Sequence, residues 1–111
     1  MVKKSFSFEI YEKISINNLI LVCLYKLEST QKTIDFEDLL KHCFKLFPKK
    51  LNFIKNFKWP DARKLDRPLR DLRRKKLVSN KTDQGFALTK TGHKKACEIM
   101  NLLRQKKLKL N

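Results

Sequence analysis

The chain has 111 residues, 41% of them hydrophobic, and a formal net charge of +16, which leaves room for one domain around one core. Two glycines in the whole chain argue against glycine-rich phosphate loops and many-turned β-sandwiches, and no apolar run approaches the ~18 residues that span a bilayer. Cys23, Cys43 and Cys97 are far apart, odd in number and outside any CxxC pair, as expected of reduced thiols in a reducing compartment. The basic start MVKKSFSFEI lacks the apolar stretch of a signal peptide, so a cytoplasmic protein is expected, nucleoid-associated if its source is prokaryotic.

At the amino end Phe6, Phe8 and Ile10 alternate, which predicts a short strand or an ordered arm within residues 1–14. Ser15 can cap a helix reaching Glu28. Its residues Leu19, Ile20, Val22, Cys23, Leu24 and Leu27 leave little polar face, so this helix belongs in the centre of the domain. After the polar connection ESTQKT, Asp35 can cap a second helix, with Asp38 in a variant of the capping box. Phe36, Leu39, Leu40, Cys43, Phe44 and Phe47 recur at helical spacing, and Pro48 is expected to end the stripe. KKLNFIKNFKW is expected to hold about one helical turn. Phe53, Phe57 and Trp59 alternate there with Lys50, Lys55 and Lys58. Such aromatics either stack on single-stranded bases or, the reading taken here, tuck the connection against the body together with Leu51 and Ile54.

A third helix is expected over residues 61–76, DARKLDRPLRDLRRKK. LVSN and FALT read as two short strands around KTDQG, where Gly85 can take a turn conformation. Thr89 then caps a final helix, residues 90–108, with Ala96, Ile99, Met100, Leu102 and Leu103 on its apolar side. The fold class is mainly α with a small β-hairpin (α+β), one domain over residues 1–111.

The charge is unevenly spread. Residues 1–47 carry seven basic and six acidic groups, and residues 48–111 carry twenty basic and five acidic ones. Five of the six arginines lie in the third helix. On a wheel turning about 100° per residue with Leu65 at zero, Leu69 falls at about 40° and Leu72 at about 340°. Arg63, Arg67, Arg70 and Arg74 fall at about 160°, 200°, 140° and 180°. Burying the leucines therefore presents the arginines together on the opposite side. Pro68 allows two readings: a helix that begins at Asp66, or one continuous bent helix from Asp61, which is preferred here. Arginine's planar fork suits phosphate oxygens and guanine O6 and N7, whereas a merely solvated face would do as well with lysine. The stripe fits nucleic acid first, the acidic face of a protein partner second and plain solvation third.

The residues LRDLRRKKLVSN (69–80) and GFALTKTGHKKA (85–96), in the order helix, helix, helix, strand, strand, helix, resemble winged helix-turn-helix DNA-binding domains. In that family a basic third helix runs into a Leu-Val strand, and a Leu-Thr-x-x-Gly segment, here Leu88, Thr89 and Gly92, opens the last helix. FPKK…WPD…KLDRPLRDLRRK further resembles small prokaryotic winged-helix proteins. The resemblance implies a core over 15–89, a recognition helix at 61–76 in the major groove of double-stranded DNA, and a wing at 77–88. Arg63, Lys64, Arg67 and Arg70 would reach bases or phosphates, Arg74 the backbone, and Lys81 and Thr82 phosphate or the minor groove. It also implies a small transcriptional regulator or accessory DNA-binding protein, with a homodimer through the C-terminal helix as one option. Phe47 and Asp61 are separated by thirteen residues, against three or four in a compact helix-turn-helix, which predicts an unusual docking angle.

From other classes come a protein-interaction or scaffold module in a larger nucleoprotein assembly, and RNA binding. His93 and Cys97 share a helix face, but no second pair completes a metal site. No catalytic constellation and no cofactor motif is evident, so neither an enzyme nor a metal or cofactor protein is expected.

Overall fold

The computed structural model describes residues 6–52, 58–81 and 85–110, without the side chains of Lys81, Lys109 and Leu110. In chain order it contains helices α1 (Phe8–Tyr11), α2 (Ile16–Glu28), α3 (Phe36–Leu46), α4 (Pro48–Leu51) and α5 (Arg63–Arg74), strands β1 (Val78–Lys81) and β2 (Gly85–Leu88), and helix α6 (Lys90–Leu110). This is the expected mainly helical chain with one antiparallel hairpin. It departs from the expected order by the single-turn helix α1, and the one turn expected in the connection is α4, which begins at Pro48. Among the described residues no helix is long and apolar enough to cross a membrane.

Helix α2 is the centre. All six residues from Leu19 to Leu24 are fully buried, and α3, α5, α6 and β2 pack around it. A helix apolar on every side can be stable only when enclosed in this way. Ser15 caps it as its position foretold, its Oγ accepting from the Asn18 amide at 3.3 Å. Asp35 likewise caps α3, accepting from the Asp38 amide at 2.7 Å. The Asp38 carboxylate accepts instead from Gln31 Nε2 at 3.1 Å. Pro48 follows α3 and opens α4, in the first turn, where a missing backbone donor costs little.

The expected amino-terminal strand is a helical turn. Ile10 and Tyr11 are both buried while Phe8 is 40% exposed, a pattern that alternation cannot produce because neighbours in a strand face opposite ways. The Glu12 amide closes the turn on the Phe8 carbonyl at 2.8 Å. Phe6 stacks on Phe47 with ring centroids 5.3 Å apart, and Tyr11 meets Phe47 edge-on at 5.0 Å. These aromatic contacts with the end of α3 outweigh the local period of two.

In the hairpin Val78 pairs with Leu88 and Lys81 with Gly85. Two contacts hold it to the body. The Phe86 amide donates to the Ile34 carbonyl at 2.8 Å, and the Leu88 amide donates to Glu28 Oε2 at 2.8 Å. Gly85 has φ +72, and a Cβ there would lie 2.2 Å from the Ile34 oxygen; both its turn and its close approach demand glycine. Thr89 caps α6, its Oγ1 accepting from the Gly92 amide at 3.0 Å and donating to the Lys76 carbonyl at 2.7 Å. A Cβ on Gly92 would sit 1.9 Å from the Leu77 oxygen. The Leu-Thr-x-x-Gly segment is thus the joint between hairpin and last helix.

The connection between α4 and α5 is only partly as expected. Leu51 is fully buried, but Trp59 is 63% exposed instead of tucked in. Phe53, Ile54 and Phe57 lie outside the described residues. Asn52 and Pro60 form an isolated antiparallel bridge, and the Asp61 amide donates to the Leu51 carbonyl at 2.6 Å.

Candidate nucleic-acid interface

Helix α5 is seated by Leu65, Leu69 and Leu72, at 0%, 2% and 1% exposure. Each such side chain contributes roughly 1.5–3 kcal/mol of burial. One continuous helix runs through Pro68, so the reading that begins it at Asp66 does not hold. It starts at Arg63, two residues later than expected. Asp61 is buried at 6% exposure, and its Oδ1 accepts from the Arg63 amide at 3.1 Å, which sets a carboxylate before the positive end of the helix while the cap position itself, Ala62, makes no side-chain bond.

The helix ends two residues earlier than expected. The Leu77 amide donates to the Leu72 carbonyl at 2.9 Å and the Lys76 amide to the Arg73 carbonyl at 3.0 Å, the paired bonds of a Schellman ending. Such an ending needs a left-handed residue, and Lys76 supplies it with φ 63. A lysine there carries a steric cost that glycine would not.

Opposite the leucines, Arg63, Arg67, Arg70 and Arg74 are all exposed. They are held differently. Arg63 Nε lies 3.4 Å from Asp61 Oδ1, with the guanidinium side chain 84% exposed. Arg70 pairs with Asp66 one turn back along the helix. Among the described residues, no carboxylate lies within ion-pair distance of Arg67, Arg73 or Arg74. Asp71 is taken by Lys75 at 3.2 Å and by Asn17 Nδ2, which donates at 2.9 Å. The hydrogen bond from Lys75, assisted by that from Asn17, holds the Asp71 carboxyl below the usual carboxylate range. This latch fastens the outer edge of α5 to the first turn of α2.

Lys64 behaves unlike the arginines. Its Nζ donates to the Asn52 carbonyl at 2.6 Å, so it braces the connection against α5. Lys81 is the last residue of β1, and Thr82 and the rest of the hairpin tip lie outside the described residues.

A cleft of about 980 Å³ opens along the amino-terminal half of α5. Its walls are Ile16 of α2, Lys50 of α4, Asp61 and the outward side chains of α5 as far as Arg70. Five cationic side chains (Lys50, Arg63, Lys64, Arg67 and Arg70) line it against the two carboxylates of Asp61 and Asp66. Four of the seven residues named from the sequence thus meet in one place, and Arg74 continues the stripe one turn further on. Lys50, which the sequence places only among the lysines between the connection's aromatics, joins those four because α4 folds back beside α5. Trp59, expected to tuck in together with Leu51, Phe53, Ile54 and Phe57, is exposed instead.

The arrangement can hold a polyanion. It offers concentrated, exposed guanidinium groups on a rigid rod, with no group of three or more His, Cys, Asp or Glu among the described residues that could hold a metal ion. Comparison of the chain with family models, curated proteins and solved structures gives no match.

Proposed function

We propose that this chain binds double-stranded DNA, with α5 lying in the major groove and the β1–β2 hairpin flanking it as a wing, in the manner of a winged helix-turn-helix domain. It acts without catalysis, as a small transcriptional regulator or accessory DNA-binding protein. The observation that carries the reading is the division of α5 into a buried leucine face and an exposed arginine face. A helix of twelve residues is about 18 Å long at ~1.5 Å per residue, and its ~10–12 Å girth matches the ~12 Å width of the groove. The bridge of Ile34 to Gly85 supports the wing assignment, since it ties the hairpin to the segment between the first two main helices.

Within this reading Arg67 and Arg74 are the readiest phosphate ligands. Arg63 and Arg70, oriented by their carboxylates, are placed to meet base edges or to exchange one anion for another. Lys64 acts by holding the connection in place. Self-association would use α6, on which Leu102 and Leu108 are 40% and 69% exposed.

The test is a mobility-shift series with duplex DNA, single-stranded DNA and structured RNA at several salt concentrations. Four phosphate contacts should give a log–log salt slope of about −3.6. Arg67→Ala and Arg70→Ala should each weaken duplex binding by ~1–3 kcal/mol, while Lys41→Ala on α3 should change nothing. Equal effects from all three, or binding indifferent to salt, would sink the assignment. The Asp61–Arg63 and Asp66–Arg70 pairs also favour a second reading, in which an acidic protein surface supplies the carboxylates; binding to no nucleic acid would select it.

A further inference from the structure

We infer that Trp59 is a stacking platform for an unpaired DNA base beside the duplex held by α5, an inference that rests on the DNA-binding reading above. Trp59 is the chain's single tryptophan, and at 63% exposure it leaves more of a large aromatic surface in water than any other described aromatic side chain. Burial of such a ring is among the most favourable contributions available to a small domain, and the connection forgoes it. Among the described residues no other ring stacks on the indole.

The exposure belongs to a fixed place. Immediately after Trp59 the backbone is clamped: Pro60 bridges to Asn52, the Asp61 amide is bonded to Leu51, and the Asp61 side chain is buried against the start of α5. Two residues of chain span at most ~7 Å, so the backbone of Trp59 lies close to Asp61, which stands in the wall of the cleft that Lys50, Arg63 and Arg67 also line. Lys58, exposed, precedes Trp59.

The occupant follows from that setting. A purely apolar protein surface would have to be drawn against concentrated positive charge, whereas a nucleobase brings a flat π-face on a phosphate chain. Base–indole stacking accepts any base. In an intact duplex the base faces are stacked on one another and cannot be reached. The ligand is therefore a duplex with an unpaired nucleotide next to it, such as an overhang or a junction, with the backbone in the cationic cleft and one base on Trp59.

The experiment follows the fluorescence of this one tryptophan while the full chain is titrated with two DNAs of the same duplex sequence, one flush-ended and one with a four-nucleotide overhang. The overhang probe should quench the indole and bind roughly 5- to 150-fold more tightly than the flush one, the range of a single base stack of ~1–3 kcal/mol. In mobility shifts, which need no tryptophan, Trp59→Ala should bring the overhang probe down to the affinity of the flush probe, and Trp59→Phe should keep part of the difference. An exposed side chain makes both variants safe for folding, which circular dichroism checks. Equal affinity for the two probes with unchanged fluorescence would overturn the stacking inference and leave duplex binding standing. Failure to bind either DNA would overturn both.

Discussion

Helix α3 buries Leu39, Cys43 and Leu46, and α5 buries Leu65, Leu69 and Leu72. Each is preceded by an aspartate whose carboxylate accepts an amide at its first turn. Their outer faces have little in common. On α3 the two acidic residues, Glu37 and Asp38, open the helix and the two lysines, Lys41 and Lys45, follow, and Glu37 and Lys41 pair with each other at 3.6 Å, both about three-quarters exposed. On α5 five arginines stand out against Asp66 and Asp71, although like charges three and four residues apart destabilise a helix. The inner face decides where a helix sits and leaves the outer face free. The outer face of α3 needs nothing beyond water. The outer face of α5 carries a repulsion that seating does not require and that a polyanion would relieve.

The comparison breaks first if the seating is not alike. Leu39→Ala and Leu65→Ala should each cost about 2–5 kcal/mol in chemical denaturation, since both sites are fully buried and closely packed. A Leu65→Ala cost well under that range would mean that α5 is loosely held and its arginines are not presented as a unit.

A smaller difference should appear in acid. The carboxyl of Asp71 is held below its ordinary value of 3.8, first by the hydrogen bond from Lys75. A depressed folded-state pKa contributes stability above the unfolded value, and that contribution is lost as pH falls through the folded one. Asp71→Asn should therefore lower the thermal midpoint at neutral pH, and the gap to the wild type should close below about pH 4. A gap that stays constant from pH 7 to pH 2 would show that the latch to Asn17, not charge, is what counts.

The smallest effect belongs to α3. Lys41→Ala removes one exposed pair on a helix surface and should cost no more than about 0.3–0.5 kcal/mol in the same denaturation measurement. A larger loss would show that the outer face of α3 also does more than meet water.

What the sequence determined by itself is whatever is settled within a turn or two of chain. The caps at Ser15, Asp35 and Thr89, the turn at Gly85 and the opposition of leucines to arginines on α5 depend on residues three or four apart, whose geometry the helix or hairpin dictates. The tertiary structure alone decided the rest. The aromatic contacts of Phe6 and Tyr11 with Phe47 turn an alternating segment into a helix. The carbonyl of Asn52 takes the ammonium of Lys64, which then braces the connection. The carbonyls of Ile34 and Leu77 leave no room for a side chain on Gly85 or Gly92. In every such case the deciding partner lies far away along the chain or on another element, and local spacing carries no information about which distant surfaces will meet.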